Sequence, residues 1–78
     1  MATLLLFGPA RTAAGTSRVE IQGTTVEEVR REAGALFGDA LTSVLASSAV
    51  WVNGEPASPG TPVGPGDEVA VVPPVSGG

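Results

Sequence analysis

Cysteine, histidine, lysine and tyrosine are all missing from this chain. Without cysteine there is no disulfide framework, no thiolate nucleophile and no sulfur-ligated metal. Without histidine and tyrosine, the usual general base, the commonest metal ligand and the phenol donor are gone. Without lysine there is no Schiff-base chemistry and no side-chain amine to accept an isopeptide bond. The glycine-bearing stretch from Gly8 to Ser17 is for the same reason not a phosphate loop. What remains is Asp, Glu, Ser, Thr, Arg, Asn and the two termini, a set from which a self-contained enzyme could hardly be built. The expectation is therefore a non-enzyme with no catalytic residues and no metal ligands of its own. Long apolar runs are missing too. Met1 to Phe7 lacks a basic leader and is too short for a signal peptide. No stretch approaches membrane-spanning length, which leads to an expected cytoplasmic location. The net charge of −4 argues against nucleic acid and anionic membrane as partners and favours a basic protein surface.

At 78 residues, 42% of them hydrophobic and 15% charged, the composition is that of one small folded domain. Such a domain buries only about 60% of its unfolded surface, so its core is thin. Thr3 to Phe7 is an apolar run closed by Gly8-Pro9, and reads as a strand buried on both faces. Ala10 to Ser17 reads as a loop. Arg18 to Gln22 alternates polar and apolar, giving a half-buried strand paired with the first. Thr25-Val26-Glu27-Glu28 fits a capping box. Val26, Val29, Ala33 and Leu36 then mark the buried stripe of a helix. Gly34 suggests close packing on a strand, Gly38 suits the helix end, and Asp39 can cap a second short helix through Leu41, Val44 and Leu45. Val50-Trp51-Val52 leads into Asn53-Gly54, the strongest short-range hairpin signal, and Glu55 to Ser58 should return as an edge strand limited by Pro56. Pro59 to Gly66 is a loop, Asp67 a turn residue, and Asp67 to Val72 the last strand. An amphipathic helix must cover one face of this mixed sheet. The expected fold is α+β, a two-layer roll of about five strands on one main helix plus a short one, over residues 1–72.

Residues 73–78 read as a tail. Pro73 and Pro74 donate no N–H and cannot continue the sheet pairing. Val75-Ser76-Gly77-Gly78 follows, and the whole segment could reach at most about 20 Å. Two terminal residues without a Cβ let the carboxylate thread a narrow channel and lie close to a nucleotide or another backbone. Taken alone, Gly-Gly is also what a frayed chain end looks like.

In combination these features resemble the MoaD/ThiS family of ubiquitin-like sulfur carriers, and within it most resemble the molybdopterin synthase small subunits. The resemblance covers nearly the whole chain. It rests on Leu6-Phe7-Gly8-Pro9-Ala10-Arg11 with Gly15, on Thr25-Val26-Glu27-Glu28-Val29, on Val52-Asn53-Gly54, and most specifically on Gly66-Asp67-Glu68 through Gly78. Thr12 departs from the pattern, where the family often carries an acidic residue. The resemblance implies a β-grasp fold and a carrier role. An adenylating, ubiquitin-activating-like partner would use ATP and Mg²⁺ to join the Gly78 carboxylate to AMP, with no cofactor held stably by the carrier itself. A sulfurtransferase or cysteine desulfurase system would then supply sulfur to give a thiocarboxylate. The tail, from Pro73 and Pro74 through Val75, Ser76 and Gly77, would enter the catalytic large subunit of molybdopterin synthase, in a heterotetramer. Other acceptors are compatible with the same chemistry: thiamin, cysteine, tRNA or a secondary metabolite. A non-covalent ubiquitin-like binding module is a further alternative. No ubiquitin-type chain could be built on the side chains, since none is a lysine.

Strand alternation sets Trp51 on the face opposite Val50 and Val52. Two readings stand for it, a core tryptophan or a partner anchor on an open face beside Leu5 or Phe7, Ala70 and Val72, with Arg11 available to pair with acids of a partner. Arg30 and Arg31 read as solvated surface charges.

Overall fold

In the computed structural model, which describes residues 1–72, the first strand and the last become neighbours at the centre of one sheet. The elements in chain order are β1 (Ala2–Leu6), α1 (Gly8–Ala14), β2 (Arg18–Ile21), α2 (Val26–Phe37), α3 (Asp39–Ala46), β3 (Ala49–Val52), β4 (Glu55–Pro56) and β5 (Glu68–Val72). The strand order is β2-β1-β5-β3-β4, with β1 and β5 parallel and every other pair antiparallel. This is the expected β-grasp roll. The expected tail, Pro73 to Gly78, lies outside the described residues.

Alternation along the strands sends Leu4, Leu6, Ile21, Val50, Val69 and Val71 to one face, where they are buried with Val26, Val29 and Ala33 of α2 and Leu41 and Leu45 of α3. Each fully buried valine, leucine or isoleucine contributes roughly 1.5–3 kcal/mol of transfer free energy. On the other face Thr3 is buried and Leu5 half-buried, so β1 is largely buried on both sides, as its apolar run suggested. The Thr3 hydroxyl donates to Glu20 Oε2 at 2.7 Å.

The segment read as a loop from Ala10 to Ser17 is mostly the short helix α1. Pro9 falls in the first turn, where a missing N–H costs nothing. Ala10, Ala13 and Ala14 are strong helix formers, and Ala10 is fully buried. Gly15 closes α1 in the left-handed region at φ 76°, its N–H donating to Arg11 O. Phe7, expected inside β1, instead caps this helix and is 49% exposed.

Three details of α2 and α3 differ from expectation. Leu36 does not belong to the buried stripe; it is 56% exposed, and Phe37, four residues after Ala33, packs on the core in its place. Gly34 meets α3 rather than a strand, since a Cβ there would lie 2.8 Å from Thr42 Oγ1. Gly38 takes the N-cap of α3, leaving Asp39 in the first turn without a capping bond. The capping box itself forms: Thr25 Oγ1 accepts the Glu28 N–H at 3.2 Å. The returning carboxylate reaches one residue further than the motif requires, accepting the Thr24 N–H at 2.7 Å and its hydroxyl at 2.8 Å, and these bonds hold the Glu28 carboxyl below the usual range. The 59–66 loop crosses the same helix end, where Thr61 O and Pro59 O accept the Val26 and Glu27 N–H groups.

The hairpin turn is of the expected kind, with φ 51° at Asn53 and 84° at Gly54. The return strand is only Glu55–Pro56, shorter than Glu55 to Ser58, and one further bond, from the Ala57 N–H to Val50 O at 3.0 Å, ends the pairing. Asp67 is the expected turn residue. Its carboxylate accepts the Gly64 N–H at 2.8 Å and Asn53 Nδ2–H at 3.0 Å, while Asn53 Oδ1 accepts the Glu68 N–H at 2.9 Å. The Asn53 bond, followed by the Gly64 bond, holds the Asp67 carboxyl below its ordinary value.

A group lowered in the folded state stabilises fully above its unfolded pKa of about 4, and that stabilisation fades as pH falls through the lower native value. Thermal melts of Asp67→Asn should therefore lie below wild type at neutral pH and converge with it below about pH 3. Parallel melting curves down to acid would contradict this role.

Candidate functional site

The uncovered face of the sheet is organised by register. Leu5 pairs with Arg18 on β2 and with Ala70 on β5; Ala70 pairs with Trp51 on β3, and Trp51 with Pro56 on β4. One continuous row, Arg18–Leu5–Ala70–Trp51–Pro56, thus crosses all five strands. Leu5, Ala70 and Trp51 in it are half-buried although no helix lies over them. On one side of this row Thr3 stands between Glu20 and Glu68, giving a polar end. On the other side Val72 pairs with Ala49. Phe7 comes one step beyond the last parallel pair, Leu6 with Val71, and so stands at the same apolar end as Val72.

Leu5, Trp51, Val72 and Phe7, expected together from alternation alone, are therefore brought to one face. Arg11 is carried on α1, which packs against α3; it is exposed, one helical turn from Phe7, whose C=O its N–H approaches at 3.4 Å. Gly78, Gly77, Ser76, Val75, Pro74 and Pro73 follow directly on β5 and lie outside the described residues. Pro56 and Arg18 were not foreseen in this face. A two-residue turn at Asn53-Gly54 pairs Val52 with Glu55 and hence Trp51 with Pro56, so the signal for Pro56 was present in the spacing.

The helical layer offers a different hollow, about 300 Å³, lined by Glu27, Arg30, Arg31, Thr42, Leu45 and Ala46. Arg30 Nη2 is engaged there as a donor to Leu45 O at 3.2 Å, and Glu27 stands with the two arginines on the α2 wall, opposite the α3 residues. Among the described residues no helix is long and apolar enough to cross a membrane.

With the geometry in hand, comparison with known proteins is decisive for ancestry: the ThiS family model matches residues 4–78. The chain belongs to the ThiS family. The match runs through the tail as well as the β-grasp body. Among solved structures, small archaeal modifier protein 1 from Haloferax volcanii is 32% identical, with TM-score 0.80 over 99% of this chain and 98% of that one. Small archaeal modifier protein 1 from Methanosarcina acetivorans is 26% identical, with TM-score 0.89 over 99% and 95%. A Pyrococcus furiosus protein provisionally assigned as molybdopterin converting factor subunit 1 is 25% identical, with TM-score 0.84 over 95% and 97%. No curated protein sequence matches. The chain is thus a ubiquitin-like member of a family of small sulfur carriers.

Because Trp51 is half-buried on an uncovered face, Trp51→Ala should cost about 1–2 kcal/mol in a denaturant titration, short of the 3–5 kcal/mol of a core aromatic. Loss of the folded state on this substitution would place Trp51 in the core instead.

Proposed function

We propose that this ThiS-family protein carries sulfur as a C-terminal thiocarboxylate on Gly78 and delivers it in molybdopterin biosynthesis. The observation that carries the reading is the family match extending through Gly78, on a chain with no cysteine to hold sulfur by itself. A carboxylate is a poor acyl donor. An adenylating partner using ATP and Mg²⁺ converts it to an acyl adenylate with release of pyrophosphate. The outer sulfur of a persulfide on a sulfurtransferase or cysteine desulfurase system displaces AMP to give an acyl disulfide, which a partner thiol cleaves to the thiocarboxylate while itself forming a disulfide. The resulting anionic sulfur is a strong nucleophile for the reason that a thiolate outranks a thiol.

Each partner has to recognise a folded surface before it can act on the tail. The Leu5–Ala70–Trp51 row, with Val72 and Phe7 at the end where β5 finishes, supplies an apolar platform next to the point from which the tail departs. Aromatic anchors of this kind concentrate binding energy. The acceptor enzyme in this reading is the large subunit of molybdopterin synthase, and the carrier works in the cytoplasm. The likeness to a molybdopterin converting factor subunit supports that acceptor. A second reading is favoured by the 32% identity to a small archaeal modifier protein: the same activated Gly78 passes to an amine of another protein.

Both readings require adenylation. With the cognate adenylating enzyme, the full chain should support ATP–pyrophosphate exchange, and removal of Gly78 should reduce it by about a hundredfold or more, as misplaced reacting groups do. Undiminished exchange, or none with the full chain, contradicts the proposal.

A further inference from the structure

The two edges of the sheet are not equivalent. The β4 edge is two residues long and contains Pro56, both of which blunt it against strand addition. The β2 edge, Arg18–Ile21, has neither proline nor bulge, and among the described residues no strand lies beyond it. Its hydrogen-bonding phase follows from one contact. Leu6 N–H donates to Ser17 O at 2.9 Å, so in this antiparallel ladder the bonded pairs are Leu6–Ser17, Leu4–Val19 and Ala2–Ile21. Arg18 and Glu20 therefore turn their backbone N–H and C=O groups outward. The Thr16 hydroxyl touches those of Arg18, donating to its C=O at 3.1 Å and accepting from its N–H at 3.4 Å, both long bonds.

Charge then selects among the in-phase ways of pairing this edge with itself. Two-fold registers centred on Arg18 or on Glu20 set that residue against its own like charge. The register centred on Val19 sets Arg18 opposite Glu20 twice, and brings the half-buried Val19 against itself. The same register aligns the outward N–H and C=O groups of Arg18 with those of Glu20.

We propose that β2 is a self-pairing edge through which two copies of this chain join antiparallel about Val19, extending the sheet across the junction. Side-chain alternation stays in phase, so the open faces of both copies lie on one side of the joined sheet. The two β5 strands end at opposite ends of it, which leaves both apolar ends accessible. A junction of four residues per chain is small, and the association is weak and concentration-dependent. The inference rests on the edge geometry and not on the carrier chemistry.

Sedimentation of the full chain from micromolar to millimolar concentration should show reversible dimerisation. Arg18→Glu and Glu20→Arg, each at an exposed position, create like-charge pairs and should each raise the dimer Kd about tenfold or more. An equimolar mixture of the two variants restores opposite charges at both positions and should recover wild-type association. In wild type, independently of any variant, the amide resonances of Arg18 and Glu20 should move with concentration more than that of Val19, which faces β1. A monomer throughout this range, or a mixture associating no better than either variant alone, overturns the proposal. Amide shifts that spare β2 overturn it as well.

Discussion

The parallel ladder between β1 and β5 is the contact from which the other features follow. Parallel neighbours cannot be joined by a tight turn, so the chain between them must cross over, and in doing so it lays α2 and α3 on one face only. Leu4 and Leu6 meet Val69 and Val71 across this ladder and anchor the core, with near-zero exposure at all four. The ladder also sets Phe7 and Val72 at one end of the sheet, next to the point where residues 73–78 begin.

That arrangement divides the molecule chemically. The helical face is closed by aliphatic packing, and in the hollow between α2 and α3 Arg30 donates to Leu45 O. The open face is graded from Thr3, Glu20 and Glu68 at one end to Val72 and Phe7 at the other. A protein with no cysteine, histidine, lysine or tyrosine has little reactivity of its own to place anywhere. In the proposed function this is consistent with a division of labour: partners supply ATP chemistry and sulfur, and the carrier supplies an addressable surface with an acyl group at its end.

Much of the fold was legible because its signals are strong and local. Asn53-Gly54 demands positive φ and obtained it, Thr25 and Glu28 carry a capping motif, and Val69 and Val71 alternate as a strand must. The short helix α1 is hard to read because Gly8 and Pro9 at its start look like a turn and its buried stripe, Ala10, Ala13 and Ala14, is made only of small side chains; its stability comes from their tertiary packing. Leu36 was misplaced because position i+3 and position i+4 are both compatible with one face, and packing chose Phe37. The grouping of Leu5, Trp51, Val72 and Phe7 could be read from alternation and Pro56 from the two-residue turn, but Arg18 needed the register of β2 on β1 across the α1 connection.

The most direct test of the carrier account is the intact mass of the protein after incubation with an adenylating enzyme, ATP, Mg²⁺ and a sulfur donor from the same source. The account predicts a gain equal to replacing one oxygen by sulfur, localised by fragmentation to Gly78. An unchanged mass with partners shown to be active on another carrier would contradict it, and would leave the open sheet face as a docking surface without acyl chemistry.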